Sequence, residues 1–348
     1  MLQTLIDSCK KLEKDWNRET FPESARLCLE QLSHPLSLRD FEAEIGEWLK
    51  TAELPKQLNL YNNFGEPSLS LFNNGKFAID IYFWRKNDTL IHSHGFRGAF
   101  KVLYGVSLHE VFEVETLGEF AEDLLKTKLK PQDIKVLKKG DVEQINPDME
   151  LTHRVVHLDN PTVTLCVRTV EDTELNQWHH FTSGLSFKKK HVSENTVKRN
   201  LYFQYLLGTK RKKATKFYQD LLDDLSAAEK ISLYEGLFFG EIGLEDTATE
   251  IAVELIQEEF LKTKWFDLYE MHYESLQREL QGAMAKTAEL RLLTHSINSG
   301  FSKEKTAELL AEISDKKVSE LCEELKTKMD VFVEGAELDQ LDSIEGYR

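Results

Sequence analysis

Two histidines one residue apart, in Ile91-His92-Ser93-His94-Gly95, carry the clearest chemical signal in the chain. On a β-strand, residues i and i+2 project from the same face. His92 and His94 therefore point together, with Ser93 turned away. Two imidazoles on an inward face can bind one metal ion, whereas on an outward face they are unremarkable. A third imidazole is available in Glu150-Leu151-Thr152-His153-Arg154-Val155-Val156-His157, where His153 and His157 share a face by the same rule. Antiparallel pairing of the two segments would gather a three-histidine set.

The flanks support strands in both places. Phe77-Ala78-Ile79-Asp80-Ile81-Tyr82-Phe83-Trp84 is rich in β-formers and runs into Lys86-Asn87-Asp88, a turn signal. Phe100-Lys101-Val102-Leu103-Tyr104 ends at Gly105, and Gly140-Asp141-Val142 opens the region that leads to His153. Histidines that coincide by chance would not be expected between strands placed this way.

From Asn74 to Arg168 these segments resemble a cupin, and among cupins the cysteine dioxygenase (thiol dioxygenase) family. Asn74-Gly75-Lys76-Phe77, Trp84 and His92-Ser93-His94 are similar to that family's approach to its first two iron ligands. Ala99 to Gly105 resembles the close of the first cupin motif. Thr152-His153-Arg154-Val155, followed by Asn160-Pro161-Thr162-Val163-Thr164-Leu165, resembles the third-ligand strand and the next one. The resemblance implies His92, His94 and His153 as ligands of Fe(II). No carboxylate follows the histidine pair in Gly95-Phe96-Arg97-Gly98-Ala99, in keeping with the all-histidine shell of that family. Ala99 and Arg168 stand where animal-type members carry a cross-linked cysteine and tyrosine. No arginine stands near Glu66-Pro67-Ser68 to hold a cysteine carboxylate, so free cysteine is not the expected substrate.

Three neutral imidazoles leave a bound ion its full 2+ charge and open positions for a substrate donor and O2. Zinc or nickel would accept the same set, zinc supporting hydrolysis or isomerisation; only the resemblance implies iron. Beside the metal, Arg168, His157 and Tyr82 are the candidate catalytic residues. Thr164, Cys166 and Arg168 share one strand face. An inward arginine needs an anion, supplied either by substrate or by a structural carboxylate. Arg97 and Arg154 are weaker candidates for that task. His157 could instead lie at a barrel rim, and Tyr82, Trp84 and Cys166 could be plain core residues. His34, His109, His179, His180, His191, His272 and His295 show no partner pattern and read as surface or packing.

The elements that must position these residues follow from the rest of the chain. The 348 residues, 41% of them hydrophobic, suffice for two domains or one domain with a large appendage. A net charge of −16 argues against nucleic acid as partner. Cys9, Cys28, Cys166 and Cys322 have no paired spacing, and no apolar run is long enough for a membrane helix, so the expected setting is reducing and cytoplasmic. Residues 1–52 read as helices covering a sheet, with Leu2, Leu5, Ile6, Cys9 and Leu12 on one face. Ser37-Leu38-Arg39-Asp40 caps a further helix through Phe41, Ile45 and Leu49.

Residues 53–185 show the turn rhythm of an antiparallel barrel or jelly roll, with a short helix or ordered loop expected from Glu119 to Leu129. A linker is expected from Lys188 to Glu194. Residues 195–334 read as an all-α bundle of five to seven helices, and 335–348 as an acidic mobile tail. The fold class expected is therefore α+β, an antiparallel barrel between N-terminal helices and a helical C-terminal domain. The function expected is a mononuclear non-heme iron oxygenase acting with O2 on a small anionic or thiol-bearing molecule. The alternatives are a redox-inert zinc cupin and a non-catalytic scaffold whose C-terminal helices bind a protein partner.

Overall fold

A computed structural model of the chain describes residues 2–33, 37–51, 53–58, 64–85, 89–170, 175–189, 194–222, 225–226 and 285–330. Three helices open it: α1 (Leu2–Lys10), α2 (Phe21–Gln31) and α3 (Leu38–Thr51). Eleven strands follow. These are β1 (Ser68–Asn73), β2 (Phe77–Trp84), β3 (Ile91–His94), β4 (Gly98–Tyr104), β5 (Ser107–Ala121), β6 (Leu124–Leu137), β7 (Val142–Ile145), β8 (Asp148–His157), β9 (Thr162–Thr169), β10 (Gln177–His180) and β11 (Leu185–Lys189). The described helices after the barrel are α4 (Glu194–Thr209), α5 (Arg211–Leu222), α6 (Ala288–Asn298), α7 (Lys303–Ala311) and α8 (Val318–Asp330).

The strands form two antiparallel sheets with the alternation of a jelly roll. One runs β1-β2-β9-β4-β7. The other runs β3-β8-β5-β6-β11-β10 and closes on itself where β10 pairs with β3. Strict side-chain alternation then gives each sheet an inner and an outer face. On the first sheet Ile79, Ile81, Leu165 and Val167 point outward, and α1, α2 and α3 cover them with Leu5, Cys9, Phe21, Leu29 and Phe41. Each such fully buried Leu, Ile or Phe contributes about 1.5–3 kcal/mol. Lys101, also outward, donates from Nζ to the carbonyls of Leu29 and Leu32 (2.8 and 2.6 Å) and so closes the C-terminal end of α2.

The outer face of the second sheet has its own cover. Leu108, Val136, Val156 and Leu158 form one core with Leu290, Leu293, Leu309, Leu321 and Cys322 of α6, α7 and α8. Between them lies a buried polar joint. Arg154 Nε donates to Glu110 Oε2, and His295 Nε2 of α6 lies 3.2 Å from the same oxygen. Burial alone would raise the Glu110 carboxyl, but His295 and Arg154 hold it down at about 2. Helices therefore cover part of the outer face of each sheet.

Several local expectations change. Glu119–Leu129 is neither helix nor loop: β5 and β6 form a long ribbon whose turn lies after Ala121. Its helix-like composition reflects a two-stranded tip with exposed polar side chains and three register shifts, so the period-2 pattern is blurred. Lys188 and Lys189 belong to β11 and not to a linker, because β11 is needed to join β6 to β10. On α3 the helix face holds Phe41 and Ile45 as expected, but Leu49 is exposed and Trp48 packs instead. On α4, Phe203 and Leu206 are buried while Leu201 and Tyr205 are exposed. None of the four cysteines is in a disulfide. Among the described residues no helix is long and apolar enough to cross a membrane.

Outside the described residues lie 227–284 of the expected helical bundle and the expected acidic tail. The turn signal at Lys86-Asn87-Asp88, with His34, His191 and His272, lies there too.

Replacing Glu110 by Ala leaves the Arg154 guanidinium buried without its carboxylate. A loss of about 3–5 kcal/mol in urea unfolding is expected; a change within ~0.5 kcal/mol would mean that the joint contributes nothing.

Candidate metal centre

The inner faces of both sheets enclose a cavity. From the first sheet come Tyr82, Trp84, Phe100, Val102, Ile145, Thr164 and Cys166; from the second, His92, His94, Ser107, His153, Val155 and His157, with Phe64 and Phe96 from the connecting segments. Register explains the selection. Tyr82 pairs with Thr164 on the β2–β9 ladder, and Phe100 pairs with Cys166 on β4–β9, so all four share the inner face. Gly98 permits this close stacking: a Cβ there would lie 2.2 Å from the Val167 carbonyl oxygen and 2.8 Å from the Arg168 Cα.

β3 and β8 pair antiparallel, with His92 opposite His153. A register shift between His92 and His94 sets His94 opposite Asp148. One donor nitrogen from each of His92, His94 and His153 lies within 4.8 Å of the others, and all three residues are buried. Donors bonded at about 2.1 Å to one ion are no more than ~4.2 Å apart, so closing the site requires a small inward ring movement. The rings suit such an ion in protonation as well. Burial pushes His92 down to about 4 and holds His94 and His153 well below the usual imidazole range, the neighbouring rings adding to the effect on the latter two. His92 Nδ1 lies 2.7 Å from the Leu90 carbonyl, which accepts only its proton. Its Nε2, and that of His153, are buried and have no hydrogen-bond partner among the described residues. Buried lone pairs without partners are costly, and a metal ion would satisfy both.

The surrounding candidates take distinct places. His157 lines the cavity, its ring stacked on Trp84 (4.5 Å, 17°) and its Nδ1 3.0 Å from Ser107 Oγ. Its Nε2 is buried without a partner, and burial lowers the ring to about 3. It is therefore inside the barrel and not at a rim. Tyr82 presents its ring to the cavity while its hydroxyl donates to Asp80 Oδ2 at 3.2 Å. Burial first, and then the Asp80 charge, raise that phenol. Arg168 Nε donates to the same Asp80 oxygen at 2.7 Å, and Ser70 Oγ donates to the other at 2.7 Å. The Arg168 guanidinium lies against the Phe96 ring, 4.9 Å from its centroid; Phe96 lines the cavity and Arg168 does not. Of the two anions weighed for Arg168, the structural carboxylate is the one in place. Cys166 faces the cavity as a neutral thiol pushed up to about 12 by burial, outside the three-histidine group.

Arg97 reaches Glu19, and Arg154 points outward to Glu110, so neither faces the cavity. Two histidines read as packing are more than that. His109 is buried with Nε2 2.7 Å from His153 Nδ1, and His295 joins α6 to Glu110. The β5–β8 register is what brings His109 beside His153, 44 residues away. No local spacing signals it.

No protein-family model and no curated protein matches the chain. Among solved structures, an RmlC-like cupin from Shewanella frigidimarina is 16% identical over 31% of this chain and 78% of its own, with a TM-score of 0.23. A hydroquinone 1,2-dioxygenase from Sphingomonas with 4-hydroxybenzoate bound is 9% identical over 32% of this chain and 70% of its own, with a TM-score of 0.25. At this level of likeness the functional reading rests on the site's own geometry.

Two outcomes follow. His157 is neutral when folded down to about 3 but takes a proton near 6.5 when unfolded. The metal-free protein therefore loses stability as pH falls from 6.5 toward 3. In His157→Leu the urea-derived stability should fall less steeply, by up to about 1.4 kcal/mol per pH unit; an unchanged slope would contradict the burial of a neutral ring. Arg168→Met should cost about 3–5 kcal/mol by stranding Asp80, and adding Asp80→Leu should recover much of it. If the double variant is no more stable than Arg168→Met, the pair is not the reason Arg168 is there.

Proposed function

We propose that the chain is a cupin-type mononuclear metal protein with non-heme oxygenase chemistry, using Fe(II) and O2 on a small, neutral, largely apolar molecule. The observation that carries this reading is the convergence of His92, His94 and His153 on one wall of an aromatic cavity, two of them with buried, unpartnered Nε2 atoms. When bound, iron would supply one-electron and dioxygen chemistry; zinc or nickel on the same ligands would supply Lewis acidity.

The chain's own residues set the conditions. Phe64, Trp84, Phe96 and Phe100 exclude water and offer apolar and ring contacts to a substrate. His157 Nε2 is the polar atom that can orient a hydroxyl, thiol or amide of that substrate, since Ser107 already engages Nδ1. The expectation of an anionic substrate rested on Arg168. Asp80 neutralises that guanidinium and Phe96 covers one face of it, with Arg168 Nη2 left buried beside them; no residue lining the cavity is charged, which favours a neutral molecule. A thiol or hydroxyl remains a suitable donor toward the metal side of the cavity.

The test is anaerobic iron loading of the full chain, followed by metal analysis and oxygen uptake with neutral thiols, phenols and amino acids. About one iron per chain is expected, and His92→Ala or His153→Ala should abolish it with the circular dichroism spectrum unchanged. Oxygen uptake should follow the neutral compounds. Equal, near-zero metal in wild type and variants would instead support a scaffold whose α6–α8 face serves a protein partner. Tight zinc binding without oxygen uptake would support a redox-inert cupin.

A further inference from the structure

We infer that Glu143 and His109 act together as positioning residues that place the proton of His153 on Nδ1, leaving its Nε2 lone pair free to bind a metal ion. The inference rests on the metal reading above but concerns residues that reading does not use.

The starting point is the contact of 2.7 Å between His109 Nε2 and His153 Nδ1. Both rings are buried, and in a contact of this length between two imidazoles one nitrogen carries the shared proton and the other accepts it. If His109 donates, His153 must hold its own proton on Nε2, where a metal ion would need a lone pair. If His153 donates, Nε2 is free. The two arrangements differ in what stands at the far side of His109. In the first, His109 Nδ1 is a bare lone pair; in the second it is an N–H.

Glu143 Oε2 lies 3.7 Å from that Nδ1. A carboxylate repels a lone pair and attracts an N–H, so it selects the second arrangement. At this distance the contact is electrostatic, longer than a hydrogen bond, but Nδ1 of His109 is buried, where charges act strongly. The carboxylate is itself held. Lys135 Nζ binds the other oxygen, Oε1, at 2.8 Å, which leaves Oε2 toward His109. The sheets supply the placement: Glu143 stands opposite Phe100 on the inner face of β4–β7, and Lys135 stands opposite His109 on β5–β6. The relay thus crosses from one sheet to the other, from a partly exposed carboxylate to a buried ligand. His92 receives the same service directly from the Leu90 carbonyl.

The experiment uses the full chain in two arms. Nitrogen-15 NMR of the metal-free protein reads which ring nitrogen of His153 carries the proton, which a merely structural His109 would not govern. Zinc affinity is measured by competition with a chelator. In wild type the His153 proton should be on Nδ1. His109→Leu should weaken zinc binding by about 10–100-fold, and His109→Gln, whose amide oxygen can accept from Nδ1, should regain most of it. Glu143→Ala should move part of the His153 proton to Nε2 and weaken zinc. Combined with His109→Leu it should add nothing further. A wild-type proton on Nε2 of His153, or wild-type zinc affinity in folded Glu143→Ala and His109→Leu, would overturn the inference. If wild type binds no zinc, the metal reading fails, and the NMR arm on wild type and Glu143→Ala still decides the relay.

Discussion

The pairing of β3 with β8, His92 opposite His153, is the constraint on which the centre depends. Because side chains alternate, a slip of one residue would turn both imidazoles out of the barrel. The register is held from outside the site: β10 closes the ring against β3, and β5 pairs with β8 from Ser107 to Phe112. The rings then sit buried in the interior, with nitrogens that no group among the described residues satisfies. Such a cluster is costly as a core and useful as a ligand set.

The same alternation connects the centre to both helical layers. On β5 and β8, His109 and His153 point inward while their neighbours Glu110 and Arg154 point outward to α6. On β2 and β9, Asp80 and Arg168 close a neutral polar unit beside the cavity, and Ile79 and Val167 pack under the N-terminal helices. Strands β2, β5, β8 and β9 are thus fixed on their reverse sides. This rigid backing suits a site whose rings need movements of only a few tenths of an ångström to about an ångström to take up an ion.

How much of this could be read from the sequence follows from range. Period-2 spacing revealed that His92 and His94 point together, and β-forming composition marked Phe77–Trp84 at the limits the strand has. The face of α1 was equally plain: Leu2, Leu5, Ile6 and Cys9 are its buried residues. What failed needed knowledge of which strands are neighbours. His109 looked idle because its partner is on β8. Arg168 was rightly read as needing an anion, but whether Asp80 supplied it depended on the β2–β9 register. The ribbon at Glu119–Leu129 was misread because Leu117 and Phe120 are exposed while Asp123 and Thr127 are buried, and two register shifts near the tip break the period of two. His295 was beyond reach, since a contact across 185 residues to Glu110 leaves no periodic trace.

The most direct measurement of the central claim is X-ray absorption on the iron- or cobalt-loaded protein, which reports the identity and number of ligand atoms without requiring a substrate. The account expects a first shell containing three imidazole nitrogens at about 2.0–2.2 Å and no sulfur. A shell with a sulfur donor, or with fewer than three imidazoles, would contradict it, because Cys166 or a carboxylate would then be doing what His92, His94 and His153 are placed to do.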